Sequence, residues 1–600
     1  MKAKPKIESQ TFADAWFVIK LFARHMPGYM IGTLLHQTAA SILKVFRNTL
    51  VVQALINTIQ SGNAIQDTLV YITVIAGLSL VIGAFDLAFE EIWTPIAAQK
   101  MRVNLHTVMF NKAISLDLSC YDNPKFFDEY VLINTHIIDR VWGMFNAIKT
   151  FFASIVGVTT LITIAFNMDV VGMVIGLASV IVSFIFDSRR DKRIHSRDVE
   201  STFYTRKRNY ATRILSLPDY ASELRVHPGF SHRMIEIYDE GVQGGLVVVQ
   251  KYAPSIIVNE ALTYYLSTYF LIYGVYCGYL VYKIAVLGEL SIGDFVGMYQ
   301  AVRLLRNQIM YVTYSAIPGI RQNSMYITRL RKFLEKKPSI VDPEHPLPKP
   351  SEFNSLIVRN AGFAYTEADQ KVLNNICMEI RNKQRIAIVG YNGAGKTTLV
   401  KLLLRLYDVT EGEVELNEEN IKHYNLTDYR DQFSTIFQDF CLYATTLAEN
   451  VAMDIKYNTA AICLSLDQCG FSEKLATMEH GIETPLSKEF FDYGVQLSGG
   501  EAQKIAIARV LYKNRHIIIM DEATAALDPL SEYQLNRTIA EAACNSTIIC
   551  ISHRLSTTIH ADCIYMLENG HIIESGTHTE LMQQNGKYAE MFRVQAERYK

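Results

Sequence analysis

Apolar residues dominate the first half of the chain in long blocks, broken only by short polar clusters, up to about Gln322. Six blocks approach or exceed the roughly 20 residues a helix needs to cross a bilayer: about 30–58, 68–92, 143–166, 169–187, 256–286 and 291–318. A shorter amphipathic stretch at about 11–25, with Trp16, Phe17, Leu21 and Phe22, predicts a helix along the membrane surface ahead of the first span. Beyond Gln322 charges become frequent. Lys336-Lys337-Pro338 and the proline-rich run from Pro343 to Pro350 cannot continue a helix. Residues 326–350 therefore read as a linker between a helical membrane domain, 1–325, and a second domain, 351–600. In the second, the strand-like runs Arg385 to Gly390, His516 to Asp521 and Thr547 to Ser552 alternate with helix-like ones. That alternation predicts an α/β domain on a mainly parallel sheet.

Composition agrees with this division. Six hundred residues exceed what one core organises, and the charged fraction of 20% falls below that of soluble chains. A formal net charge of −2 gives no electrostatic footprint for nucleic acid. The nine cysteines show neither CxxC pairing nor metal-ligand spacing and read as free thiols. The first residues, with Lys2, Lys4 and Lys6, lack the apolar core and cleavage site of a removable signal peptide. The short connections Ser61 to Gln66, Asn167 to Asp169 and Gly288 to Glu289 hold no Lys or Arg, whereas the two long ones hold many, among them Lys100, Arg102, Arg189, Arg190 and Lys207. The positive-inside rule then expects the long connections, both termini and the second domain in the cytoplasm, with the chain multi-pass in the cell membrane.

Three segments carry chemistry. Gly390-Tyr391-Asn392-Gly393-Ala394-Gly395-Lys396-Thr397, with Thr398 opening a helix, fits G-x-x-x-x-G-K-[ST] between a strand and a helix. Its backbone N–H groups cradle a phosphate at a helix N-terminus, Lys396 reaches the β- and γ-phosphates, and Thr397 ligates Mg²⁺. The apolar run Ile517 to Met520 leads into Asp521-Glu522. Asp521, at a strand's carboxyl end, suits the Mg²⁺, and Glu522 suits polarisation of an attacking water. Leu497-Ser498-Gly499-Gly500-Glu501 precedes a further helix and forms a second anion-ready N-terminus.

In this order, phosphate loop, glycine pair and aspartate strand resemble the ATP-binding cassette (ABC) superfamily, and the whole chain resembles an exporter-type half-transporter, close to bacterial exporters of peptides and drugs. The resemblance implies that Tyr365 stacks on adenine and that Gln438 contacts Mg²⁺ and water. It also implies that Asp528 sits in a loop crossing to the opposing subunit and that His553 contacts the γ-phosphate. It further implies ATP held between one subunit's Lys396 and the other's Ser498, Gly499 and Gly500, hence a homodimer, with a heterodimer of related chains as the alternative. Coupling helices are expected near 116–128 and 210–225, close to Gln438. Two positions depart from the family: Glu501 replaces a frequent glutamine, where no loss of catalysis is expected, and Asp492 replaces a glutamate.

For cargo the sequence offers Arg303 with Arg306, and Lys44 with Arg47, each pair sharing a helix face about 17–24 Å from the outer end of its span. Charges at that depth face a cavity or a partner. Either they line the path and favour a polar or anionic cargo group, or they pair with Asp86, Glu90 or Glu91. The expected function is ATP-driven export of a peptide or amphipathic small molecule by alternating access. A lipid flippase and an exporter-shaped importer of a metal chelate are the alternatives.

Overall fold

The computed structural model describes residues 4–61, 65–365, 370–521, 546–551 and 555–597. They separate into two compact units: Met1–Lys112 with Glu129–Glu335, and Ala113–Asp128 with Lys336–Lys600.

The first unit is helical throughout. Helix α1 (Lys4–His25) precedes α2 (Pro27–Phe46), which continues through a π turn into α3 (Val52–Gln60). Then come α4 (Ile65–Ala88) and α5 (Thr94–Ser115), again joined by a π turn. After α6 (Leu118–Tyr121) follow α7 (Pro124–Met168), α8 (Val170–Ser216), α9 (Ala221–Val226) and α10 (Pro228–Leu262). A π-helical segment, Thr263–Tyr276, leads from α10 into α11 (Cys277–Ala285), and α12 (Ile292–Tyr311) continues through a π turn into α13 (Ile317–Glu335). Every expected span thus lies within a helical stretch. Among the described residues, four stretches, 27–60, 69–115, 124–168 and 170–216, are long and apolar enough to cross a membrane. Of the other two, the fifth is rich in tyrosine (Tyr264, Tyr265, Tyr269, Tyr273, Tyr276, Tyr279 and Tyr282) and the sixth carries Asp294, Arg303 and Arg306, which lower their mean hydropathy.

The polar segments read as connections are helix as well. Helix α8 runs 47 residues, about 70 Å, because its charged half keeps helix-forming residues and no proline beyond the apolar one. Its buried stripe is small and polar: Gly172, Gly176, Ser179, Ser183 and Asp187. A Cβ on Gly172 would stand 2.3 Å from the Tyr276 hydroxyl, so the end of the Tyr276 ring packs directly on the Gly172 backbone.

Helix α1 begins before residue 11 and is more than a surface helix. Phe12 and Trp16 are exposed, but Val18, Phe22 and Asp14 are fully buried. Asp14 accepts hydrogen bonds from Ser324 at 2.6 Å and Thr328 at 2.5 Å and pairs with Arg331 at 3.0 Å, which ties α1 to α13. A buried carboxylate is tolerated when its oxygens are satisfied in this way.

The second unit holds two sheets. Strands β1 (Ser355–Phe363), β2 (Leu373–Arg381), β4 (Glu411–Leu416) and β5 (Glu419–Asn420) form an antiparallel sheet in the order β2-β1-β4-β5. The main sheet runs β10-β9-β3-β8-β7-β6, from β3 (Arg385–Gly390), β6 (Phe433–Ile436), β7 (Ile517–Asp521), β8 (Thr547–Ile551), β9 (Cys563–Glu568) and β10 (His571–Gly576). All its pairings are parallel except β9 with β10. Strand β7 is buried along its whole length, and its unbroken Ile517-Ile518-Ile519-Met520 run reflects burial on both faces.

Residues 113–128 pack with this unit. Leu118 of α6 lies against its core, and Asp117 accepts from the Ser339 N–H at 2.6 Å and the Ser339 hydroxyl at 2.7 Å. The Tyr407 hydroxyl donates to Asp122, with Lys401 3.7 Å away.

Candidate functional site

Parallel register brings the carboxyl ends of four strands, β3, β8, β7 and β6, to one edge. Ile388 lies beside Ile551, Asp521 beside Ile551, and Ile436 beside Met520. The phosphate-type loop leaves β3 there, Asp521 ends β7 there, and Gln438 follows β6 by two residues and is exposed. This is where parallel sheets present ligand-binding groups.

The loop enters α14 (Lys396–Leu403) through Gly395 at φ 105°, a conformation an L side chain adopts only under strain. A Cβ on Gly390 would sit 2.3 Å from the Leu567 carbonyl oxygen, so this strand end must also be glycine. Lys396 is 6% exposed and donates to the Gly390 and Tyr391 carbonyls at 2.9 and 3.1 Å, folding across the loop. Asn392 and Gly393 are exposed at its tip. Thr397 donates from Oγ1 to Asp521 Oδ2 at 3.1 Å, and Asp521 is itself 1% exposed. A hydroxyl beside a buried carboxylate next to N–H groups at a helix start fits a hard divalent cation carried by phosphates.

Tyr365, half-buried, shares a 3.0 Å hydrogen bond with Thr398 and meets Phe363 and Tyr407 edge to face at 4.9 and 5.4 Å. Lys401 lies 5.8 Å from the Tyr365 ring centroid and 5.7 Å from that of Tyr407. Through Tyr407 the aromatic group connects to Asp122, a relation with no signal in the sequence because 285 residues separate the partners.

Ser498 is the N-cap of the helix Gly499–Lys513 in a full capping box: its Oγ accepts from the Glu501 N–H, and its own N–H donates to Glu501 at 2.8 Å. Glu501 also accepts from the Ser498 hydroxyl at 2.9 Å and pairs with Lys474 at 3.0 Å. The Ser498 N–H above all, then Lys474 and the Ser498 hydroxyl, hold the Glu501 carboxyl below the usual carboxylate range. Ser498 and Gly499 are exposed, and a Cβ on Gly499 would meet nothing within 4 Å. Gly500 is half-buried one residue further on. From the same helix, Arg509 donates to the Asn450 carbonyl at 2.7 Å and the Cys441 carbonyl at 2.9 Å, pinning the loop that follows Gln438. Burial pushes its guanidinium below the usual range. Lys474 and Arg509 were not among the expected site residues; only the S-x-x-E spacing of the capping box hinted at this arrangement. Glu522, Asp528 and His553 lie outside the described residues.

In the first unit, Arg306 donates to Ser267 at 3.0 Å, Ser183 at 3.3 Å and Asn307 at 3.3 Å. Arg303 is exposed and stands 5.9 Å from the Tyr299 ring centroid. Lys44 is exposed, and Arg47 donates to its neighbour Asn48 at 3.3 Å. Asp86, one of the partners weighed for these cations along with Glu90 and Glu91, lies 2.7 Å from His36.

Residues 373–525 match the family model described as ABC transporter. The chain is 28% identical over 498 residues to the subtilin transport ATP-binding protein SpaT of Bacillus subtilis, covering 81% of this chain and 79% of that one. It is 34% identical over 312 residues to the ATP-dependent lipid A-core flippase of Cupriavidus metallidurans, and there spans about half, 51%, of the relative's length. A solved bacterial Atm1-family ABC exporter with ATP bound shares the fold, with a TM-score of 0.75 over 96% of this chain and 98% of that chain at 23% identity.

Proposed function

We propose that this chain, whose residues 373–525 match the ABC transporter family model and whose fold is that of an ABC exporter, is an ATP-driven export half-transporter of the ATP-binding cassette superfamily working as a homodimer. The observation that carries the ATPase reading is the convergence of Lys396, Thr397 and Asp521 at one strand edge, with Thr397 3.1 Å from Asp521. Lys396 and the loop N–H groups bind and orient the β- and γ-phosphates, and Tyr365 meets the adenine. Thr397, Asp521 and Gln438 would hold Mg²⁺, which would supply positive charge to the phosphates. Glu522 accepts a proton from the attacking water, and His553 and Asp528 complete the site from segments next to it in sequence.

The exposed N-terminus of Gly499–Lys513 supports the homodimer. Ser498 is held by its own Glu501, while its outer side and Gly499 are open, which suits a phosphate presented by a second copy. Each copy then supplies Lys396 to one nucleotide and Ser498, Gly499 and Gly500 to the other. We place all six helical stretches across the cell membrane, with the nucleotide-binding unit and both termini cytoplasmic, following the distribution of Lys and Arg. The shared exporter fold and the likeness to a subtilin transport protein support a peptide or amphipathic cargo. The lipid A-core flippases among the relatives keep lipid as a second reading. The test is transport by the purified chain in proteoliposomes: ATP-dependent accumulation in inside-out vesicles supports export, and ATP hydrolysis without vectorial transport of any cargo class overturns it.

A further inference from the structure

The π-helical segment Thr263–Tyr276 is fourteen residues long, where π-helix ordinarily appears as single turns near functional sites. Its wider turn puts residues four and five apart on one side, and here those residues are tyrosines. The rings form a ladder: Tyr264 to Tyr269 at 5.3 Å, Tyr265 to Tyr269 at 5.7 Å, Tyr269 to Tyr273 at 5.5 Å and Tyr273 to Tyr299 of α12 at 6.0 Å. These are separations at which aromatic groups attract one another. Tyr264, Tyr265, Tyr269 and Tyr273 are exposed, whereas the segment's fifth tyrosine, Tyr276, is buried. Arg303 continues the ladder at 5.9 Å from Tyr299, and Arg306 follows one turn later.

Depth decides what this face meets. Tyrosine belts belong at the two membrane interfaces, but Tyr269, Tyr273 and Tyr299 fall inside their spans. Arg303 lies about 18 Å along α12 from Ser291, a depth at which an arginine facing lipid is costly. At that depth an arginine is favourable only toward water or a polar partner. Arg306 is fixed by Ser267 of the π segment and Ser183 of α8, both fully buried, so its charge is positioned by neutral hydroxyls. Asp187, also buried, is engaged by Arg190 at 3.0 Å and Thr263 at 3.2 Å. The ladder therefore ends in two guanidinium groups.

We propose that this tyrosine ladder and the arginines at its end form the cargo-binding track, and that the track selects an anion bearing an aromatic ring. The inference rests on the export reading and adds the cargo's chemistry. Stacking on successive rings holds a flat group at any point along the ladder, and Arg303 and Arg306 take the negative charge. The rigid, hydroxyl-bearing rings favour aromatic over acyl surface, and so a peptide-like or aromatic anion over a lipid phosphate.

The test is calorimetric titration of the purified full-length chain with three soluble probes: naphthalene-2-sulfonate, octanesulfonate and 2-naphthylmethylammonium. The aromatic anion is expected to bind about fivefold or more tighter than the other two, the equivalent of one ring or charge contact. Arg303→Gln should erase the preference for anion over cation, and Tyr273→Leu the preference for ring over chain, while Tyr273→Phe keeps it. Equal affinity for all three probes, or tighter binding of octanesulfonate, overturns the proposal, as does an Arg303→Gln protein with unchanged selectivity. ATP hydrolysis is read on the same wild-type preparation. Hydrolysis without probe selectivity rejects this inference alone, and absence of hydrolysis rejects the export reading.

Discussion

Thr397 donates its hydroxyl to Asp521 at 3.1 Å, joining the start of the phosphate-loop helix to the end of a strand 124 residues further on. The pair puts two hard oxygen donors beside the loop that Lys396 crosses. Asp521→Asn should lower Mg²⁺-dependent hydrolysis by about a hundredfold or more, as removal of one transition-state electrostatic group does. It should leave metal-free nucleotide binding much less affected. Lys396→Ala should weaken nucleotide binding itself. Steady-state ATPase rates and nucleotide titrations with and without Mg²⁺ separate the two effects.

Glu501 caps its own helix, so its substitution acts on the helix before it acts on chemistry. Glu501→Ala should destabilise the nucleotide-binding unit by about 1 kcal/mol through loss of the capping box, and Glu501→Gln by less. Because the folded-state pKa is depressed, the carboxylate's contribution is present above the ordinary range, about 4.3, and is lost as pH falls through the folded value. The gap in melting temperature between the wild type and Glu501→Gln should therefore narrow as pH is lowered below that range. A gap independent of pH would count against the ionised cap.

The Tyr407 hydroxyl and Lys401 both engage Asp122, and the Tyr407 ring touches Tyr365, the residue we assign to adenine. Asp122 also lies in a short segment between α5 and α7. If this is how nucleotide occupancy is felt there, Tyr407→Phe and Asp122→Ala should each lower cargo stimulation of ATPase by about fivefold, near 1 kcal/mol of coupling. The ratio of stimulated to basal rates is the measurement. A ratio equal to that of the wild type would place coupling elsewhere.

Gly172 leaves no room for a side chain against Tyr276. Gly172→Val should destabilise the helical unit by about 1–3 kcal/mol, the ordinary cost of overpacking. Thermal unfolding in detergent should show the loss, and Tyr276→Ala introduced with it should recover part of the stability.

The local features could be read from the sequence because their causes are local. The phosphate loop declares itself by glycines that a strand-to-helix turn needs, β7 by an unbroken apolar run, and the linker by prolines. What escaped depends on distant partners. Asp14 falls in the stretch read as a surface helix, and nothing in that stretch signals its distant partners Ser324, Thr328 and Arg331. The charged half of α8 looked like a loop because hydropathy measures lipid affinity and is blind to helix that continues into water. Arg306 was legible as a buried cation, but its hydroxyl partners lie on two other helices, and the tyrosine ladder depends on a π-helical turn that no apolar periodicity announces. Thr397 and Asp521 meet beside the loop that Lys396 crosses and Ser498 caps the helix Gly499–Lys513, whereas the support from Arg509, Lys474 and Tyr407 needed the folded geometry.

The central claim is that Ser498 of one chain completes the site built on Lys396 of another, and mixing two dead chains tests it most directly. Lys396→Ala disables one chain's phosphate loop, and Gly500→Asp places a carboxylate where the other's helix N-terminus should meet phosphate. Dimers of either chain alone should be inactive, but in the mixed dimer one site pairs an intact Lys396 with an intact partner signature. The account predicts ATP hydrolysis, or vanadate-trapped nucleotide, in mixed dimers isolated through two different tags. Mixed dimers as inactive as both parents would contradict it.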